Sequence, residues 1–207
     1  KEVYPIVKLN KPEPIDIPYL EKSSHPRIGM ATRIATDKGI EYMIEAFEMV
    51  LTKFPEAKLF IAGTINAVGE EQYLAKLIPL INNLGDKVIL LGQLAPGQMP
   101  NFFKQLDLLV VASINSTEAF GMVQLEAMLE GTPVVATDLP GVRVPIQISK
   151  MGHIAKIANS RDLAEKIITT LKDKPKNNTS KLLQLFDTDK LVQQYLNLYE
   201  ETIGHSN

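Results

Sequence analysis

Four charged side chains stand out by type and spacing. Glu118 and Glu126 lie eight residues apart in Thr117-Glu118-Ala119-Phe120-Gly121-Met122-Val123-Gln124-Leu125-Glu126-Ala127-Met128. The first stands at a loop-to-helix junction, the second inside the helix. Arg33 and Lys38 share the loop Thr32-Arg33-Ile34-Ala35-Thr36-Asp37-Lys38-Gly39. A carboxylate among Val123, Leu125 and Met128 is costly unless something donates hydrogen bonds to it. A sugar diol does so, because one carboxylate accepts from two adjacent hydroxyls. Two cations in one loop clamp a pyrophosphate and offset leaving-group charge. A helix opening after Gly121 offers free N–H groups suited to phosphate, and glycine lets the backbone approach closely. Each feature alone has a plain explanation: a solvent-facing glutamate, two surface cations, a tight turn. Their coincidence on one edge of a fold is the argument.

The elements that position them follow from periodicity. Short apolar runs at Arg27–Ala31, Lys58–Ala62, Lys87–Leu91, Leu108–Ala112 and Pro133–Thr137 predict strands, with a short sixth within Gly152–Ala158. Between them, spacings of three and four predict helices near Ile40–Phe54, Glu70–Asn83, Pro100–Gln105 and Gly121–Leu129. Asp162 is the expected N-cap of a helix through Leu171. Lys174–Ser180 reads as a polar break, and a last helix spans Lys190 to Ile203. The Leu108–Ala112 run does not alternate, as in strands buried on both faces. Repeated βαβ units imply an α/β fold, a Rossmann-like three-layer α/β/α domain with an open parallel sheet. Ligands in such sheets bind outside the carboxyl ends of the strands. Arg33, Lys38, Gly63, Gly92 and the 113–119 loop all fall there. Residues 1–24 differ: Pro5, Pro12, Pro14 and Pro18 suit a linker or interdomain arm, leaving 25–203 as the domain.

Composition narrows the chemistry. The 207 residues suffice for one ordinary domain. A formal net charge of -2 gives no field for a nucleic-acid partner. With no cysteine, disulfides, thiol nucleophiles and cysteine-held metals are excluded. His25, His153 and His205 are too scattered to predict a metal site, so none is expected. No GxGxxG or Walker loop occurs. No apolar run reaches the roughly 20 residues of a membrane span, and no signal peptide follows Lys1. The expected setting is cytoplasmic.

The stretch Ser113–Met128, followed by Gly131-Thr132-Pro133-Val134-Val135-Ala136-Thr137, resembles the E-x7-E motif of the group 1, family 4 retaining glycosyltransferases. The likeness is to their C-terminal, donor-binding domain, one half of the two-domain GT-B fold, over roughly residues 26 to 200. The Arg33 and Lys38-Gly39 loop is similar to that family's phosphate-contacting pair. The resemblance implies that 25–203 binds a nucleotide-diphosphate sugar for retaining transfer to an acceptor. Glu118 would contact the donor sugar and Glu126 the ribose. The backbone of Phe120, Gly121 and Met122, next to Val123, would meet the diphosphate or sugar. Arg33 and Lys38 would stabilise the departing diphosphate, and Gly92, Gln93 and Leu94 would cradle the base. Glu118, Arg33 and Lys38 are thus the catalytic candidates. No cofactor or metal is implied. UDP is the common carrier in that family, with GDP and ADP as alternatives.

Two departures qualify the likeness. The family often carries Pro-Gly-Val-Arg-Glu where this chain has Pro140-Gly141-Val142-Arg143-Val144, so Val144 receives no ligand role. The family's enzymes also carry an N-terminal acceptor-binding domain that this chain lacks. The expectation is a piece of a longer enzyme, inactive alone, with the terminal helix and its Tyr195 and Tyr199 packing on the missing half. A peripheral membrane contact of the full enzyme, at a cytoplasmic face, stays open. Two other functions compete: a GT-B-like sugar-nucleotide epimerase, and a non-catalytic α/β interaction module.

Overall fold

The computed structural model describes residues 4–7, 10–17, 20 and 25–204; Pro18 and His205 fall outside them. In chain order the elements are β1 (Arg27–Ala31), α1 (Ile40–Leu51), β2 (Lys58–Ala62), α2 (Glu71–Asn83), β3 (Val88–Gly92), α3 (Met99–Gln105) and β4 (Leu108–Val111). There follow α4 (Met122–Leu129), β5 (Val134–Thr137), α5 (Arg143–Ser149), β6 (Gly152–Ala155), α6 (Ser160–Asp173), α7 (Thr179–Leu185) and α8 (Thr188–Gly204). All strand pairs are parallel, in the order β3-β2-β1-β4-β5-β6. The order reverses between β1 and β4, which opens a crevice outside their carboxyl ends.

Alternation along the strands sends successive side chains to opposite faces. Ile28, Met30, Leu59, Ile61, Leu108 and Val110 pack against Met43, Ile44 and Phe47 of α1 and Leu163 and Ile167 of α6. Phe60, Ala62, Leu109, Val111, Val134 and Ala136 pack against α3 through Phe102 and Phe103, and against α4 through Leu125 and Met128. Each fully buried valine, leucine, isoleucine, methionine or phenylalanine among them stabilises the fold by about 1.5–3 kcal/mol. The result is three layers with the sheet in the middle.

The proline-rich arm lies on this domain. Val7, Ile17 and Leu20 are buried in the second core. Glu13 N–H donates to the Gly97 carbonyl at 2.7 Å, and Asn101 Nδ2 donates to the Glu13 carbonyl at 2.6 Å. Tyr4 stacks near Phe186 and Phe120, with ring centroids 5.3 and 6.5 Å away.

Three expectations need correction. Asn159, not Asp162, caps α6: its side chain accepts from Asp162 N–H at 2.9 Å. Asp162 instead accepts from Lys156 N–H at 2.7 Å. Helix α5 went unforeseen because Pro145 reads as a breaker, although it sits in the first turn where its missing N–H costs nothing. Helix α7 begins inside the polar stretch, and with Leu182 its one buried residue it shows no helical period.

Candidate functional site

The loop after β1 and the loop after β4 meet across the reversal point. Ile114 N–H donates to the Asp37 carbonyl at 3.0 Å, and Thr117 Oγ1 donates to the Asp37 carboxylate at 3.0 Å. Lys38 Nζ reaches Glu118 Oε2 at 2.8 Å and Asp37 Oδ2 at 3.1 Å. Arg33 pairs with the other Asp37 oxygen at 3.0 Å, with its own side chain 49% exposed. Ser113 Oγ donates to Glu118 at 3.3 Å. Three of the sequence candidates, Arg33, Lys38 and Glu118, are therefore gathered into one network around Asp37.

Burial weakens the protonated form of Lys38, but its hydrogen bonds to Glu118 and Asp37 outweigh that and raise its pKa. Asp37 shows the converse. Partial burial raises its pKa, and the bonds from Lys38 and Thr117 more than reverse that, holding the carboxyl below the ordinary range. Lys38 is thus a fixed cation in a half-buried setting. Behind the loop, Glu70 accepts from Thr36 N–H at 3.1 Å and from Thr36 Oγ1 at 2.6 Å. Tyr73 caps α1 by hydrogen-bonding Ile40 N–H at 3.1 Å. Neither anchor is visible from spacing.

Gly121 opens α4 with φ +70°, a left-handed conformation that favours glycine. No side chain caps the helix. The Met122 and Val123 N–H groups have no hydrogen bond among the described residues. Glu126 follows one turn later, partly buried between Leu125 and Ala127. Burial pushes its carboxyl above the usual range, and among the described residues no donor satisfies it. A half-desolvated carboxylate without a partner suits a ligand that brings two hydroxyl donors.

Gly92, Gln93 and Leu94 lie on the same edge, at the end of β3, two strands from β1. At about 4.8 Å per strand that is roughly 10 Å along the sheet, within reach of a nucleoside diphosphate. Gln93 is exposed and Leu94 packs partly into the second core. Phe120 turns its ring to Tyr4 and Phe186. Among the described residues no cluster of histidine and carboxylate groups could hold a metal ion, and no helix is long and apolar enough to cross a membrane.

The family model described as Glycosyl transferases group 1 matches residues 13–181. The chain belongs to that family. It is 30% identical over 178 residues to the mannosylfructose-phosphate synthase of Agrobacterium fabrum, covering 81% of this chain and 39% of that protein. It is 33% identical over 151 residues to the lipopolysaccharide 1,2-N-acetylglucosaminetransferase of Salmonella typhimurium, covering 71% of this chain and 39% of that one. Among solved structures, Anabaena HepE in complex with UDP and glucose superposes with a TM-score of 0.76 at 27% identity, over 86% of this chain and 48% of that chain. The domain has the Rossmann-like architecture of one half of the GT-B fold, and it spans about two-fifths to one-half of the relatives it matches.

Proposed function

We propose that this group 1 glycosyltransferase domain binds a UDP-sugar at the β1/β4 crevice and takes part in retaining transfer of the sugar to an acceptor. The observation that carries the reading is the Lys38–Glu118 pair at 2.8 Å, which joins the two loops beside the unpaired N–H groups of α4. In the free protein Lys38 is neutralised by carboxylates. An entering diphosphate offers it a doubly charged partner, and Arg33, largely exposed, swings onto the same group. Glu118 is then released to accept from donor-sugar hydroxyls. Glu126 takes the ribose diol, and the Gly92–Leu94 turn supports the base. As the glycosidic bond breaks, charge builds on the diphosphate, where Lys38, Arg33 and the Met122 and Val123 N–H groups stabilise it. UDP is favoured as carrier by the likeness to the UDP-bound HepE structure.

The acceptor half of the crevice belongs to the rest of a longer enzyme in this reading. Val192, Leu196, Tyr199 and Ile203 form an exposed apolar stripe along α8, suited to that contact. Tyr195 does not share it: its hydroxyl donates to the Tyr4 carbonyl at 3.3 Å. The 207-residue chain alone binds nucleotide and transfers no sugar, since transfer needs an acceptor held opposite the donor with water expelled.

A thermal-shift panel of UDP, GDP, ADP and their common sugar conjugates tests the reading. Ligand at 100 times its Kd adds about 2.7 kcal/mol of stability, or roughly 5–11 °C for a chain of this size. No shift with any of the three nucleotides sinks the proposal. Turnover of UDP-sugar by the isolated chain at about 1 per second or more sinks its inactivity alone.

A further inference from the structure

Gln124 stands on α4 between the apolar residues Val123 and Leu125, and its own side chain is fully buried. An aliphatic residue would fill that place without any polar group to satisfy. The amide instead makes two specific bonds. Nε2 donates to the Phe120 carbonyl and to the Val142 carbonyl, both at 2.8 Å. Phe120 precedes the glycine that opens α4, and Val142 lies in the loop after β5. Oε1 of the same amide is buried with no partner, singular in this among the described side chains. Backbone packs on backbone at the same place. A Cβ added to Gly141 would lie 1.7 Å from the Ala119 carbonyl oxygen, and one added to Gly121 would lie 2.7 Å from Gln124 Nε2.

We infer that Gln124 is a positioning residue: its amide clamps the Ala119–Gly121 turn to the loop after β5, so that the Met122 and Val123 N–H groups stay aimed at the diphosphate. This rests on the reading of the crevice as the donor site. Gln124 never touches donor itself, because no part of it reaches the surface. Its two acceptors explain why an amide is needed. A nitrogen with two N–H bonds satisfies two carbonyls from separate loops, and an amide does so without bringing a charge into a fully buried place. A carboxylate would repel both, and an alkyl chain would leave both unpaired. The clamp also offers a role for the loop from Pro140 to Val142 that needs no acidic side chain at Val144, which lies in α5. The loop contributes a carbonyl to the turn.

The test is calorimetric titration of uridine and UDP into the wild type, Gln124→Leu and Gln124→Glu. Uridine engages the base and ribose groups, whereas UDP adds the diphosphate. In Gln124→Leu, UDP affinity should fall about 10- to 50-fold while uridine stays within about twofold, the size of losing about one charge-assisted bond. In Gln124→Glu the acid donates one hydrogen bond only when protonated. Its UDP affinity, relative to wild type at each pH, should therefore climb as pH falls. Should the leucine variant not fold, the glutamate variant at low pH retains a donor and decides alone. Wild type that binds UDP, with variants keeping the wild-type ratio of UDP to uridine affinity and no relative pH trend, overturns the clamp and leaves the donor-site reading standing. Wild type that binds neither UDP nor uridine overturns that reading, and the clamp with it.

Discussion

Lys38 and Glu118, eighty residues apart in the chain, form the shortest ion pair of the crevice, at 2.8 Å. Their side chains are 16% and 21% exposed. At that depth a carboxylate deprived of its cation is poorly compensated by water. Replacing Lys38 with methionine leaves Glu118 with only the Ser113 hydroxyl and Asp37 with Arg33 and the Thr117 hydroxyl. A loss of about 1–3 kcal/mol in stability is expected, read by urea denaturation. Arg33→Met, at a largely exposed site, should change stability by less than about 0.5 kcal/mol. Both variants should weaken UDP binding. A Lys38 variant as stable as the Arg33 variant would contradict the network.

Glu126→Gln should raise stability and lower affinity together. The wild-type carboxylate is partly desolvated with no donor, so removing its charge relieves a cost. A gain near 1 kcal/mol would move Tm by about 2–4 °C. The amide accepts from the ribose more weakly than a carboxylate. UDP affinity should drop about 10- to 100-fold, the worth of a charged hydrogen bond. Glu118→Gln should weaken UDP less, because its partners are a sugar and Lys38. Equal UDP affinity in wild type and Glu126→Gln removes the ribose role.

The two perturbed carboxyls give opposite pH signatures. Asp37 has a lowered pKa, so its stabilisation is present above its ordinary value near 3.8 and is lost as pH falls through the lower folded value. Glu126 has a raised pKa. Its contribution is full below the ordinary value near 4.5 and is lost as pH rises through the higher folded value. Asp37→Asn should flatten the acid limb of the stability curve below about pH 4. Glu126→Gln should flatten the decline above about pH 4.5. Denaturation midpoints measured from pH 3 to pH 7 separate the two.

Gly141→Ala should cost about 3 kcal/mol or more. Its new Cβ meets the Ala119 carbonyl, a backbone atom that cannot turn aside. Circular dichroism melts of Gly141→Ala and wild type give the comparison. A variant within about 1 kcal/mol of wild type would show that the two loops are not packed this tightly.

The sheet was readable because its strands are short, apolar on both faces and spaced by amphipathic helices. That Arg33, Lys38 and Glu118 meet was readable because each follows a strand that ends at one edge. Asp37 was not, since a loop aspartate looks solvated until its neighbours Thr117 and Glu118 arrive from β4. Gln124 was invisible for the same reason. Its amide donates to the Phe120 carbonyl nearby and to the Val142 carbonyl eighteen residues on, and spacing does not reveal the second. The arm's Val7, Ile17 and Leu20 follow no period, so their burial had no signal in spacing. Asn159 and Asp162 both precede the same apolar stripe, and backbone geometry alone makes Asn159 the cap where Asp162 is expected.

The strand order has a consequence in time. β1 lies at the sheet's centre, yet its neighbour β4 and the Glu118 loop come much later in the chain. At a synthesis rate of about 5–20 residues per second, the eighty residues from Lys38 to Glu118 take roughly 4–16 s. During that interval β1 has one free edge, and Lys38 waits without its carboxylate from the second loop. The nascent half-sheet of β1, β2 and β3 is then the stage most open to pairing with another chain. A chaperone that shields it would act before the crevice exists.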